Sequence, residues 1–257
     1  KEQEKLGKKI LENLKLDNKF IGLIIRDKSF KKKKYSHINF DYHNHRNIPI
    51  NHLEKTLKYL INFNKIIRLG NVTNSKINCL NLNKNYFDYS KSSFKDSFLD
   101  LWLTSKSNFI ISTGTGLDEV GTIFNIPTLY FGLTDLSQLS QYRKSLAHPP
   151  HLYWKNNNFK LTLEERFKID LSTTELSIKN NIIIEHNDDF YLNSAKEFID
   201  IFHLKIKRSD SVNILQDKFW KIFSYYNPNI KYINENAFVS KKFLLDYKNE
   251  IINFNYD

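Results

Sequence analysis

The sequence predicts an α/β protein built on a doubly wound parallel sheet, and three features carry that prediction. Short apolar runs recur at Phe20 to Arg26, Ile66 to Gly70, Phe109 to Ile111 and Pro127 to Leu133. They are continuous rather than alternating, which suits strands covered on both faces. Between them lie stretches whose apolar residues fall at helical spacing, and strands alternating with helices build parallel sheets. Only 7 Gly and 5 Pro punctuate the chain, and they concentrate where sharp turns are needed.

Pro49 opens a helix with the apolar stripe Leu53, Leu57, Leu60 and Ile61. Ile77 to Leu82 reads as a weaker strand, and Phe94, Phe98, Leu101 and Trp102 as the apolar face of the next helix. Leu117 to Phe124 reads as helix. Thr162-Leu163-Glu164-Glu165 is a capping box. Ile182 to Glu185 is a strand, Asp188-Asp189 starts a long helix through Phe202, and a last helical stretch carries Phe219 and Trp220. The organisation expected is a helical segment at 1–19, a nucleotide-binding α/β domain at 20–205, and a helical extension at 206–257 packed on it.

Composition bounds the function. A chain of 257 residues with 40% hydrophobic and 14% aromatic content buries a substantial core and is not wholesale disordered. The single Cys79 excludes an intrachain disulfide framework and a multi-cysteine zinc site, and fits a reducing, cytoplasmic setting. No apolar run approaches the roughly 18 residues of a membrane span, and Lys1-Glu2-Gln3-Glu4-Lys5 is not a signal peptide. With no Met and a Lys at its start, the chain is expected to be the C-terminal part of a longer protein. The net charge of +11 has two readings, attraction to phosphates or a general bias toward Lys, Asn and Ile. The run Lys31 to Lys34 suits a solvated loop, and it also offers peripheral contact with an anionic membrane face. The lysines are scattered and no nucleic-acid motif is present, so nucleic acid is not an expected partner.

In a doubly wound sheet ligands sit outside the carboxyl ends of the strands. Three loops follow such ends. The third, Ser112-Thr113-Gly114-Thr115-Gly116, leaves a buried strand and enters a helix. Its glycines let backbone approach a ligand, and a helix start offers N–H groups to a phosphate. The competing reading is an ordinary turn, because Thr115 and Asp118 match a capping box. The motif is neither a Walker loop nor the dinucleotide fingerprint. The first loop begins with Arg26-Asp27, where Arg suits a bidentate grip on phosphate and Asp27 either acts as a base or orients the Arg. A salt-bridged turn is the plain alternative. The same loop carries Asp41, His43, His45 and Arg46; a His-x-His pair can bind metal, but no clear third ligand accompanies it. Arg68, before Leu69-Gly70, is a further candidate phosphate or ribose contact that needs a partner if buried. Glu185 at a strand end is a candidate for a ribose or sugar hydroxyl, or a plain exposed carboxylate. Cys79 reads as a small buried residue rather than a nucleophile.

In order along the chain, these pieces resemble a family of bacterial glycosyltransferases associated with surface-polysaccharide gene clusters, related in architecture to GT-B and fucosyltransferase-like enzymes. The resemblance rests on Ile24-Ile25-Arg26-Asp27, on His45-Arg46-Asn47 where Tyr-Arg-Asn is usual, and on Ile66-Ile67-Arg68-Leu69-Gly70. It continues in Asp96 to Leu103 and in Phe109 to Leu117, with weaker echoes in Leu161 to Glu165, Ile184-Glu185-His186-Asn187 and Asn236 to Leu244. It implies a Rossmann-like, GT-B donor-binding half and transfer of a sugar from a nucleotide-sugar to a glycan or lipid-linked acceptor. It further implies no metal and no cofactor beyond the donor itself, and an acceptor-side domain preceding residue 20. Catalytic roles then fall to Arg26 and Asp27. Donor binding falls to Arg46, Arg68, Gly70, Ser112, Thr113, Gly114, Thr115, Gly116 and Glu185. Thr113-Gly114-Thr115-Gly116 replaces a more usual Thr-Ser-Ser-Gly, and His45 replaces Tyr. The rival readings are a nucleotide-sugar epimerase or hydrolase of the same architecture, a basic nucleic-acid-binding module, and an inactive sugar-binding relative.

Overall fold

The computed structural model describes residues 2–13, 20–26, 41–70, 76–93, 95–137, 139 and 144–256. Its strands are β1 (Phe20–Ile24), β2 (Lys65–Arg68), β3 (Tyr86–Asp88), β4 (Phe109–Ser112), β5 (Thr128–Phe131), β6 (Ser145–His148), β7 (His151–Trp154), β8 (Ile182–Glu185) and β9 (Ala237–Val239). Seven of them form one sheet in the order β3-β2-β1-β4-β5-β6-β9, with every pairing parallel. The remaining pair, β7 and β8, is an antiparallel ribbon. This is the doubly wound, Rossmann-like α/β fold. Strand order reverses between β1 and β4, which opens a crevice at their carboxyl ends.

The helices are α1 (Glu2–Asn13), α2 (Glu54–Leu60), α3 (Ser97–Lys106), α4 (Glu119–Ile123), α5 (Leu163–Lys168), α6 (Thr174–Lys179), α7 (Asp188–Phe202), α8 (Asp210–Tyr226), α9 (Lys241–Asp246) and α10 (Lys248–Ile252). One sheet face, with Ile21, Leu23, Ile111, Leu129 and Phe131, packs on α2 and α7 through Leu57, Leu60, Phe198 and Ile199. The other face is covered in two halves. Phe20, Ile24, Ile67 and Ile110 meet α1 and α3. Tyr130, Ala147 and Val239 meet α8 and α9 through Phe219, Phe223, Phe243 and Leu244. A strand covered on both sides buries consecutive residues, which is why β1, β4 and β5 are buried throughout. Polar residues mark the helix starts. Asp96 accepts from Phe98 N–H at 2.8 Å, Asn187 from Asp189 N–H at 3.0 Å, and Thr162 and Glu165 complete the capping box of α5.

Several expectations change. Ile77 to Leu82 holds a 3-10 turn, Asn78–Leu80, and the strand is β3 farther on. Ile77 and Leu80 are buried three residues apart, a helical-turn spacing read as a strand. In α3 Phe98 and Leu101 are exposed, while Leu99, Trp102 and Leu103 face inward. α1 settles this orientation: the Trp102 indole lies against Gly7, and its N–H donates to Glu4 at 2.9 Å. Phe94 lies outside the described residues. The segment at 206–257 is more than a helical extension, because β9 adds an edge strand to the central sheet. Among the described residues no helix is long and apolar enough to cross a membrane.

Gly132, at the end of β5, has φ +70°, and a Cβ there would lie 2.6 Å from Ile48 Cδ1. Gly132→Ala combines a left-handed backbone with a steric clash, so it should destabilise the fold by about 1–3 kcal/mol. Urea unfolding, read as a lowered midpoint with an unchanged slope, checks this.

Candidate functional site

The crevice at the β1–β4 switch point is stitched from the first and third loops. Arg26 backbone N–H donates to Thr113 Oγ1 at 2.8 Å, and Thr113 N–H returns to Ile24 O at 3.2 Å. A 3-10 turn at Asp41–Arg46 meets the Gly114 turn through its last residue. Arg46 Nη2 reaches Gly114 O at 3.4 Å, Ile48 packs on Gly132, and His45 backbone and ring meet Thr174 Oγ1 at 3.0 and 3.2 Å. Gly114 has φ +78°, and a Cβ there would meet Leu133 at 2.9 Å and Arg46 Nη2 at 3.2 Å. Glycine is required at that point for both reasons.

The turn's own hydrogen bonds revise the expected phosphate cradle. Asp118 is fully buried, and its carboxylate takes the Ser112 hydroxyl and the Thr115 N–H, the latter at 2.9 Å. Gly114 N–H donates to Ser112 Oγ at 3.0 Å, and Leu117 N–H to Thr115 Oγ1 at 3.2 Å. The capping-box reading therefore holds in half: Asp118 reaches back to Thr115, but Thr115 caps Leu117. The helix that follows, α4, has five residues and starts at Glu119. Within the turn, the N–H groups of Gly114, Thr115 and Leu117 are already spent on the Asp118 carboxylate or on the turn's own hydroxyls. Burial raises the Asp118 pKa to about 6, opposed by the Ser112 hydroxyl, the Thr115 N–H and the charge of Arg46. What remains for a ligand is the guanidinium of Arg46, the segment at Arg26, and the side of the turn at Thr115 and Gly116.

The other candidates lie elsewhere. Asp27 falls outside the described residues. Arg68 is fully buried with Nη1 3.8 Å from Asp88 Oδ2, its register partner on β3, so its charge is answered inside the protein rather than at the Gly114 turn. Gly70 N–H donates to Asp100 Oδ1 at 3.0 Å, and burial pushes that carboxyl up to about 6. Glu185 ends β8, outside the central sheet, where it accepts from Tyr153 OH at 3.0 Å and lies 3.8 Å from His151 Nδ1. Cys79 is half-buried, and burial raises its thiol pKa. Among the described residues no three His, Cys, Asp or Glu side chains gather as a metal site.

Three groups were not singled out from sequence. His186 packs beside Gly132, 3.6 Å from where a Cβ would sit, with Nδ1 2.7 Å from Tyr191 OH. Burial lowers its pKa to about 4, helped by His52. His148 and His151 flank Pro149-Pro150 in the core, with His148 Nδ1 2.7 Å from Ser240 Oγ and His151 Nε2 3.1 Å from Asp246 Oδ2. Arg166 is buried behind the β5 loop. The available signal was position: His148 ends β6 of the central sheet, His151 begins β7 and His186 follows β8. No family model, no curated protein and no solved structure matches this chain.

Proposed function

We propose that the chain binds a nucleotide-sugar with its diphosphate at the β1–β4 switch point and transfers the sugar to a cell-surface glycan or lipid-linked acceptor. The observation that carries this reading is the Arg46 guanidinium on the Gly114 turn, beside the segment at Arg26, in the crevice where the strand order reverses. An acceptor hydroxyl attacks the anomeric carbon, and the bond to the diphosphate breaks with its electron pair on the leaving oxygen. Arg26 and Arg46 meet that growing negative charge, and a carboxylate such as Asp27 takes the hydroxyl proton. Asp118 fixes the turn from inside, so the diphosphate is met by side-chain cations on the outer side. The absent Cβ at Gly114 makes room for the Arg46 guanidinium on the turn. Arg68, Gly70 and Glu185 have no contact with the ligand in this scheme.

A thermal-shift panel of nucleotide-sugars tests the reading. A donor present at about 100 times its Kd stabilises the native state by roughly 2.7 kcal/mol, a rise of several degrees. A flat response across the panel overturns the assignment. Donor consumed without any acceptor glycan marks a hydrolase or epimerase instead.

A further inference from the structure

A cleft of about 380 Å³ opens beside the β5 loop, walled by Thr134 to Ser137, the end of α5, residues 169–172 and the end of α8. Its lining divides by exposure. Leu136, Leu171, Phe223 and Arg166 are buried and form the floor, while Asp135, Lys168, Asp170 and Ser172 are exposed at the rim. Arg166 is the unusual member. It is 4% exposed, and its guanidinium donates to two backbone carbonyls, Pro150 O at 2.8 Å and Thr134 O at 3.4 Å, while lying 5.4 Å from the Phe243 ring. Among the described residues no carboxylate pairs with it. A buried ion is normally matched by a counter-ion, because taking it out of water costs far more than dipoles alone return. Burial accordingly lowers the Arg166 pKa to about 10. The protein still holds this cation at the bottom of a cleft rather than at its surface.

We infer that the cleft is a subsite for an oxyanion carried on a small hydroxylated body, a sugar bearing a phosphate or carboxylate, with Arg166 as the counter-ion on its floor. A volume of this size suits a group the size of a monosaccharide. The rim supplies hydroxyl acceptors. Asp135 and Asp170 are exposed there, and each accepts at Oδ1 from a backbone N–H, of Ser137 and Ser172 at 2.8 Å. The apolar floor of Leu136, Leu171 and Phe223 excludes water from around the guanidinium and strengthens its pull. Lys168 at the rim is occupied by Glu164, so Arg166 is the cation left to the ligand. This subsite stands independently of the diphosphate site at Arg46.

Titration calorimetry on the full chain with inorganic phosphate, glucuronate and uncharged glucose tests the inference. The measurement is made on wild type and on Arg46→Gln, which disarms the Gly114 turn. In Arg46→Gln phosphate or glucuronate should still bind at one site per chain, and glucose should not. Stronger binding of phosphate assigns a sugar phosphate, and stronger binding of glucuronate a uronate-like sugar. Arg166→Gln in that background should weaken the anion by about 10- to 100-fold, as expected for lost hydrogen bonds to a charged group. Because Arg166 also ties two loops, Ser172→Glu gives a second variant that leaves the core untouched. Its added rim carboxylate should weaken the anion about tenfold while the melting temperature holds. If Arg46→Gln binds neither anion, Arg166 only ties Thr134 to Pro150 and the subsite does not exist; binding equal in wild type and Arg46→Gln instead counts against the switch-point reading alone.

Discussion

Arg46→Gln is expected to lower kcat/KM for the donor by roughly a hundredfold or more, in the range found when one preorganised donor to a developing charge is removed. The expectation follows from what the Gly114 turn lacks. Ser112, Gly114 and Thr115 spend their hydroxyl and N–H groups on Asp118 or on one another, so backbone dipoles there cannot carry a diphosphate. The burden passes to guanidiniums, and Arg46 is the one placed on the turn. The loss should fall on kcat as well as KM, because charge on the leaving oxygen grows toward the transition state. Arg46→Lys should recover only part of it, since an ammonium keeps the charge but not the forked geometry. Arg46 is half-buried and makes one long bond to Gly114 O, so a urea midpoint close to wild type is expected alongside. Steady-state kinetics with the donor found in the panel decide the matter. Unchanged turnover in both Arg46→Gln and Arg26→Ala would remove the diphosphate from this crevice.

The parts of this fold readable from sequence were those where local chemistry and burial agree. β1, β4 and β5 are largely apolar, buried throughout and sit in the sheet's middle, so continuous runs marked them. β6 gave no such sign. Ser145-Leu146-Ala147-His148 is fully buried, yet two of its residues are polar, and His148 is tolerated because Ser194 and Ser240 reach it from distant elements. β9 has three residues and gains its place by docking on β6, a tertiary event with no local period. The same limit applied to the site. Gly114 and Arg26 announced themselves through residue type at strand ends. That Arg68 would be answered by Asp88 depended on the register of β2 against β3, fixed only when the sheet forms. Asp118 was visible as a cap, but its second partner, Ser112, lies six residues back across a turn whose path spacing alone does not give.

As pH falls below 6.5 the buried histidines should draw stability down, and they set the window of that decline. In each of His148, His151 and His186 burial holds the folded pKa below 6.5. His148 is 1% exposed between Ser194 and Ser240, with the charges of His151, Lys242 and Arg166 opposing protonation further. His151 has Asp246 and Glu185 on one side, and Lys160, Arg166 and Lys242 near it; desolvation and these cations outweigh the carboxylates. A group that protonates more easily unfolded than folded contributes stability that is fully present above its unfolded pKa. That stability is lost as pH falls from 6.5 toward the folded value. For His186, from 6.5 to about 4, it amounts to roughly 3 kcal/mol. Asp100 and Asp118 act with the opposite sign. Their folded values near 6, against 3.8, make the native state bind more protons, so each returns roughly 3 kcal/mol as pH falls through the same range. His148 and His151 add to the loss, and the buried Glu197, also shifted up, joins Asp100 and Asp118 in opposing it. The two sets separate by mutation. His186→Gln, which can keep a hydrogen bond to Tyr191, should flatten the decline. Asp118→Asn should steepen it, because its compensating gain disappears. Urea midpoints across this pH range read both slopes, and parallel curves for the two variants would show that neither group titrates in the fold as its burial requires.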